Sequence, residues 1–357
     1  YGVLVGQYGY PPHATLVRLA AWWQPPPPPR KALLAVEVAT LIRLDDTTAL
    51  AARRAALWDF ILGRPAPPLD RLPDSVDTPA VHPFIDLPEL ARVERWRVAM
   101  DHGMASIGYF LQPRGANGGL LIYHQGHAGG VALGRDTVGF FLARGYAVVA
   151  LAMPLVGENP RPRVVVEPFG PLWISRHDYL PFIPPREGSP IRYFIEPVLA
   201  AVNRAIELGY GDLAMLGPSG GGWTTTLYAA LDSRIRLSFP VADSEPLYSR
   251  ATLRQRHWGD YEQILPPLYR IANYPELYVL GAAEAGRRRL QILNVHDPCC
   301  FQGAHADSYR GAVQAALAQL GGGRFQVWLD ASHRTHGISP AARARILAAL
   351  EEKQHHD

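Results

Sequence analysis

From Val93 onward the chain alternates between short apolar runs and longer amphipathic stretches, and this rhythm points to its architecture. Residues 93–100 alternate apolar with polar positions, and residues 106–112 do so again after a glycine-containing turn, which predicts an antiparallel pair of strands. Predominantly apolar runs then recur at 120–123, 147–151, 213–216, 237–241, 290–295 and 325–329. Helical patterns separate most of them, near 136–144, 191–208, 223–231 and 307–320, with a last helix from Pro340. Such alternation predicts an α/β fold, a mostly parallel sheet covered by helices on both faces.

Residues 1–90 follow a different pattern. Five consecutive prolines, 25–29, favour an extended polyproline spacer, while 32–43 and 47–62 have helical composition. In the second of these, Leu50, Ala55, Leu57, Phe60 and Ile61 recur at roughly helical spacing. A largely helical N-terminal extension over 1–90 is therefore expected, joined through a proline-rich connection at 65–73 to a main domain over 91–357. Two segments break the rhythm of that domain, 155–189 and 244–287, and both are expected to be lids or pocket walls. The second carries Tyr248, Trp258, Tyr261, Tyr269, Tyr274 and Tyr278, which suit either an apolar substrate group or the private core of a small cap.

Composition narrows the function classes. A net charge of +3 over 357 residues, with basic residues scattered, argues against a nucleic-acid partner. Nearly all the positive charge is arginine, with lysine only at Lys31 and Lys353, which reads as genomic base composition. No run approaches eighteen apolar residues, so a soluble protein without a membrane span is expected. The chain starts at Tyr1, which leaves both a cytoplasmic location and export after removal of a leader open. The only cysteines, Cys299 and Cys300, are adjacent and exclude a disulfide framework.

The chemistry begins at Gly217-Pro218-Ser219-Gly220-Gly221. It follows the apolar run 213–216 and precedes a helical stretch, the strand, sharp turn and helix that a nucleophile elbow requires. Small residues flank such a serine because strand and helix nearly touch there. An acid and a histidine follow in the order Ser, Asp/Glu, His, each after a predicted strand, and with them residues 91–357 resemble the α/β-hydrolase superfamily, in particular its serine esterases. The resemblance implies an α/β-hydrolase fold, with Asp297 as the acid at a strand end and Asp243 as the alternate; Glu245 is a weaker third. It implies His336 as the base, since Ser339 and Pro340 read as the cap and first position of the following helix, with His333 as the alternate.

Acyl transfer also needs backbone donors for the developing oxyanion. The resemblance implies Gly220 N–H as one donor and the loop after the strand at 120–123 as the other. There the family's His-Gly pattern is interrupted by Gln125, so Gln125, Gly126 and His127 all stand as candidates. The implied function is hydrolysis of a small-molecule carboxylic ester through an acyl-enzyme, with no cofactor or metal. The histidine pairs at 124/127 and 333/336 have metal-ligand spacing, but they fall in loops instead of on one helix face. Cys299 lacks an elbow of its own and reads as a packing residue. Two other readings are a serine peptidase resembling the prolyl oligopeptidase family, for whose propeller 90 residues are too few, and a non-catalytic ligand-binding member of the fold. In the first insertion, Arg161, Arg163, Arg176 and His177 could meet an anionic substrate, although solvent-facing arginine is the commoner case.

Overall fold

The computed structural model describes residues 36–250 and 258–354, and from Glu37 onward these belong to a unit that spans residues 37–357. The chain enters through a single 3-10 turn, Val38–Leu41, so the described part of the helix expected over 32–43 is not α-helical. The polyproline run lies outside the described residues. Helix α1, Thr47–Leu62, has the bounds its pattern predicts: Asp46 accepts from Ala49 N at 2.7 Å, and Gly63 closes it at φ 73°.

Nine strands form one sheet: β1 (Ser75–Asp77), β2 (Leu90–Ala99), β3 (Ala105–Pro113), β4 (Leu120–Gln125), β5 (Ala147–Ala152), β8 (Leu213–Pro218), β9 (Ile235–Val241), β10 (Arg288–Asn294) and β11 (Arg324–Asp330). Their spatial order is β1-β2-β3-β5-β4-β8-β9-β10-β11. The first three pair antiparallel, as does β3 with β5, and the remaining pairs are all parallel. A separate hairpin, β6 (Arg163–Val166) with β7 (Gly170–Trp173), belongs to the first insertion.

The central strands β4, β5 and β8 are buried at every position because both faces are covered. In β4, Leu120 and Ile122 join one core while Leu121 and Tyr123 join the other; β5 and β8 divide their residues in the same alternating way. The first core receives α1, α3 (Arg192–Glu207), α4 (Gly220–Leu231), α8 (Tyr274–Leu280) and α9 (Ala306–Gln319). The second receives α2 (Arg135–Leu142) and α10 (Pro340–Gln354). Three short helices complete the second insertion, α5 (Leu247–Arg250), α6 (Tyr261–Ile264) and α7 (Pro266–Ile271). The expected α/β architecture is thus the observed one, and among the described residues no helix is long and apolar enough to cross a membrane.

The buried tyrosines of the second insertion join the first core of the sheet instead of forming a private one. Tyr269 and Tyr274 stack at 4.7 Å and Tyr278 stacks on Phe325 at 5.6 Å, all three buried. Glu276, fully buried on α8, draws in Arg43 and Arg53 at 3.0 Å each and bonds Asn273 N at 3.0 Å in a capping box. Removing Glu276 strips the partly buried Arg53, 19% exposed, of its carboxylate and Asn273 N–H of its acceptor, while Arg43, 55% exposed, turns to water, a loss of about 2–3 kcal/mol. Glu276→Ala is therefore expected to lower the thermal midpoint by roughly 5–10 °C. An unchanged midpoint in a melting experiment would mean that water already shares this site.

Candidate active site

Four loops at the carboxyl ends of parallel strands converge on one point, the place where open α/β sheets hold ligands. Ser219 follows β8, the loop 126–130 follows β4, Asp297 follows β10, and His336 lies between β11 and α10.

The elbow is built from contacts that leave no room for side chains. A β-carbon on Gly221 would stand 1.8 Å from the His124 carbonyl oxygen, and one on Gly217 would stand 2.4 Å from the backbone of Gly221. Ser219 turns the chain at φ 56° and ψ −126°, a left-handed conformation costly for a non-glycine residue and held here by the packed strand and helix on either side. Its own N–H donates to Val241 O at 2.9 Å and its carbonyl accepts the first turn of α4 from Trp223 N at 3.0 Å. Ser219 thus sits at a helix N-terminus, where amides and dipole favour negative charge.

Asp297 is buried and fully engaged. Its Oδ1 accepts from Cys299 N at 2.8 Å and Cys300 N at 3.1 Å, and its Oδ2 accepts from His336 Nδ1 at 2.7 Å. Because a carboxylate accepts, His336 carries a proton on Nδ1 and, as the neutral ring, has Nε2 as its acceptor nitrogen. That nitrogen is buried and has no hydrogen-bond partner among the described residues. The loop is held by Asn294 Nδ2 on Gly337 O at 2.9 Å, and Ser339 Oγ caps α10 through Ala342 N at 2.9 Å while bonding Asp330 at 2.5 Å.

The alternates are occupied elsewhere. Asp243 accepts from Thr226 Oγ1 at 2.7 Å and Gln291 Nε2 at 3.0 Å, with Arg289 at 3.5 Å. His333 bonds Thr335 at 2.8 Å and faces Asp330 at 3.6 Å. Glu245 accepts from Gly303 N at 2.7 Å, and burial pushes its carboxyl up to about 7.

Above Ser219 lies the loop after β4. His124 Nδ1 donates to the Gln125 carbonyl at 3.0 Å, and burial lowers that imidazole to about 4, so it is a neutral structural clamp. Gly126 packs directly on the elbow: a β-carbon there would meet Pro218 O at 2.7 Å and Gly220 N at 3.1 Å. The His127 ring covers Gly220, where a β-carbon would meet Cε1 at 2.3 Å and Nδ1 at 2.5 Å.

Ser219, His336 and His127 line one cavity of about 240 Å³, with Ala128, Ala242, Asp243, Asp260, Gln263, Phe301 and both cysteines. A larger cavity, about 400 Å³, opens at the opposite ends of β4, β8 and β9, away from these groups. The tyrosines of the second insertion do not line the Ser219 cavity, which removes their support for an aromatic substrate group. Arg161, Arg163 and Arg176 are exposed to solvent, whereas His177 is buried. Cys299 and Cys300, expected only to pack, are joined to each other through their sulfurs at the cavity wall. Sequence patterns gave no hint of Glu262 or Asp260, which reach His127 from the second insertion at 2.7 and 3.2 Å.

No family model and no curated protein matches the chain by sequence. Solved structures do match by shape. Methylesterase BT1017 superposes with a TM-score of 0.60 at 16% identity, covering 90% of this chain and 67% of its own. Acetyl xylan esterase from Paenibacillus sp. R4 gives 0.57 at 16% identity, over 88% of this chain and 98% of that one. Acetyl xylan esterase 1 from Thermoanaerobacterium sp. JW/SL YS485 gives 0.52 at 15% identity, over 84% and 98%. Likeness at this identity establishes a shared fold.

Glu245 supplies a test of the electrostatics beside the cavity. Its folded pKa of about 7 exceeds the ordinary glutamate value of 4.5, so the folded protein binds this proton more tightly than the unfolded chain. The group's favourable contribution is full below pH 4.5 and is lost as pH rises toward 7. Glu245→Gln keeps an acceptor for Gly303 without the charge. Its thermal midpoint is expected to match wild type near pH 4.5 and to exceed it by a few degrees at pH 8. A pH-independent difference would contradict the shift.

Proposed function

With the α/β-hydrolase fold as the frame, we propose that this chain is a serine hydrolase that cleaves carboxylic esters carrying a small acyl group. The observation that carries this reading is one arrangement: Ser219 at the strained elbow shares a cavity with His336, whose Nδ1 is tied to Asp297 at 2.7 Å.

In the proposed cycle Ser219 Oγ attacks the ester carbonyl carbon while His336 Nε2 takes its proton. Asp297 holds the imidazole in the required tautomer and stabilises the imidazolium. Charge appears on the carbonyl oxygen, which Gly220 N–H and an amide of the 125–127 loop receive at the N-terminus of α4. Collapse of the tetrahedral species expels the alcohol, which takes the proton from His336 and leaves an acyl-serine. Water, deprotonated by His336, then attacks that acyl group, and the acid leaves as Ser219 regains its proton. Each step uses the chain's own groups.

The cavity volume of about 240 Å³ supports a short acyl chain. The neighbours named for acetyl xylan and for methyl esters agree with ester chemistry on small groups, while the alcohol partner is left to the rim, to which the second insertion contributes Asp260 and Gln263. Purified protein is expected to hydrolyse p-nitrophenyl acetate and propionate faster than octanoate. Ser219→Ala should reduce kcat by about 10⁴-fold or more, as should His336→Ala, while leaving the fold intact. Wild-type protein that turns over no ester of the series, or a Ser219→Ala variant as active as wild type, would refute the proposal.

A further inference from the structure

The three assigned side chains leave one electrostatic feature unexplained, a buried carboxylate between two imidazoles. Glu262, on α6, is fully buried; its Oε1 accepts from His127 Nε2 at 2.7 Å and its Oε2 from His177 Nδ1 at 3.2 Å. The other nitrogen of His177 bonds the Pro154 carbonyl at 2.9 Å. A carbonyl only accepts, so both nitrogens of His177 carry hydrogen and the ring is an imidazolium paired with Glu262. Burial opposes both charges, yet their mutual attraction wins: His177 is raised and Glu262 held well below the usual carboxylate range.

The cluster joins three separate parts of the chain. His127 belongs to the loop after β4, His177 to the first insertion and Glu262 to the second. The Glu262 backbone is anchored as well, its carbonyl accepting from Tyr269 OH at 3.0 Å, while that hydroxyl accepts from Trp223 Nε1 at 2.7 Å. Trp223 lies on α4, one turn beyond the elbow, and packs edge-on against Phe194, which packs on the His177 ring. At the other end the His127 ring lies over Gly220. Each nitrogen that faces Glu262 ends on a carboxylate oxygen, so the cluster is satisfied without a metal ion, although three donors of this kind within 4.8 Å would also suit one.

We propose that Glu262 is a positioning residue for the oxyanion site. By holding His127 it fixes the 125–127 amides against Gly220 N–H, and its ion pair with His177 makes that geometry depend on both insertions. The inference rests on the Ser219 mechanism proposed above. Loss of one oxyanion donor costs about 10²–10³ in kcat, and a misplacement of about 1 Å can cost about 10².

The test compares wild type, Glu262→Gln, Glu262→Asp and His177→Gln, all in the full chain, with p-nitrophenyl acetate and an alkyl boronic acid that forms a tetrahedral adduct on the serine. Glu262→Gln is expected to lower kcat about 30-fold with KM changed less than about threefold, and to weaken the boronic acid in step with kcat/KM. Glu262→Asp should recover part of the loss, and His177→Gln should show the same split at about fivefold. Wild-type kcat and boronic acid affinity in Glu262→Gln would overturn the proposal. If that variant does not fold, unchanged values in His177→Gln would overturn it. Stoichiometric zinc or cobalt in wild type, lost in His177→Gln, would do so too, since the cluster would then be a metal centre. A folded wild type that neither hydrolyses p-nitrophenyl acetate nor binds the boronic acid would instead bring down the Ser219 reading itself.

Discussion

Everything at the candidate site depends on how closely β4 approaches the turn between β8 and α4. The carbonyl oxygen of His124 occupies the space that a side chain at Gly221 would need, with 1.8 Å to a hypothetical β-carbon. This contact lets the helix begin immediately after the strand, which forces Ser219 into its positive φ and lifts its side chain clear of the sheet. It also sets the height of the next loop, because Gly126 rests on Pro218 and Gly220. A substitution anywhere in this stack would move several proposed catalytic groups together.

The second organising feature is charge buried in pairs above the sheet. Glu276 gathers Arg43 and Arg53 beneath α1, and Glu262 gathers His127 and His177 beneath the two insertions. Such pairs contribute little net stability, since desolvation offsets their attraction, but breaking one is costly. They therefore select one arrangement of segments that hydrophobic burial alone would leave free to slide. At Glu262 the arrangement selected includes the ring over Gly220, which is how an insertion far along the chain can act on the chemistry.

Much of this was legible in the sequence because it depends on local periodicity. The strands β4, β5 and β8 announce themselves by the apolar runs at 120–123, 147–151 and 213–216, and α1 by the helical spacing of Leu50, Ala55, Leu57, Phe60 and Ile61. The elbow is a short motif with steric causes, so its glycines are readable without neighbours. The pairing of His336 with Asp297 in preference to Asp243 was open in the sequence, since both acids follow strands. What separates them in space is that Asp243 is taken by Thr226 and Gln291, groups on other elements. The Glu262 cluster had no signal as a cluster: His127 and His177 stood out only for other roles, and Glu262, 135 and 85 positions away from them, looks ordinary in its own segment. The tyrosines of 244–287 left two readings open, substrate wall or packed core, since composition records aromatic residues without recording which way they face.

The most direct test of the central claim is the site of covalent modification by a fluorophosphonate, read by intact mass and peptide mapping. The account expects one adduct per chain, carried by the peptide containing Ser219, with labelling abolished when Ser219 is replaced by alanine and strongly slowed when His336 is. An adduct on another residue, or none under conditions where the protein is folded, would contradict it.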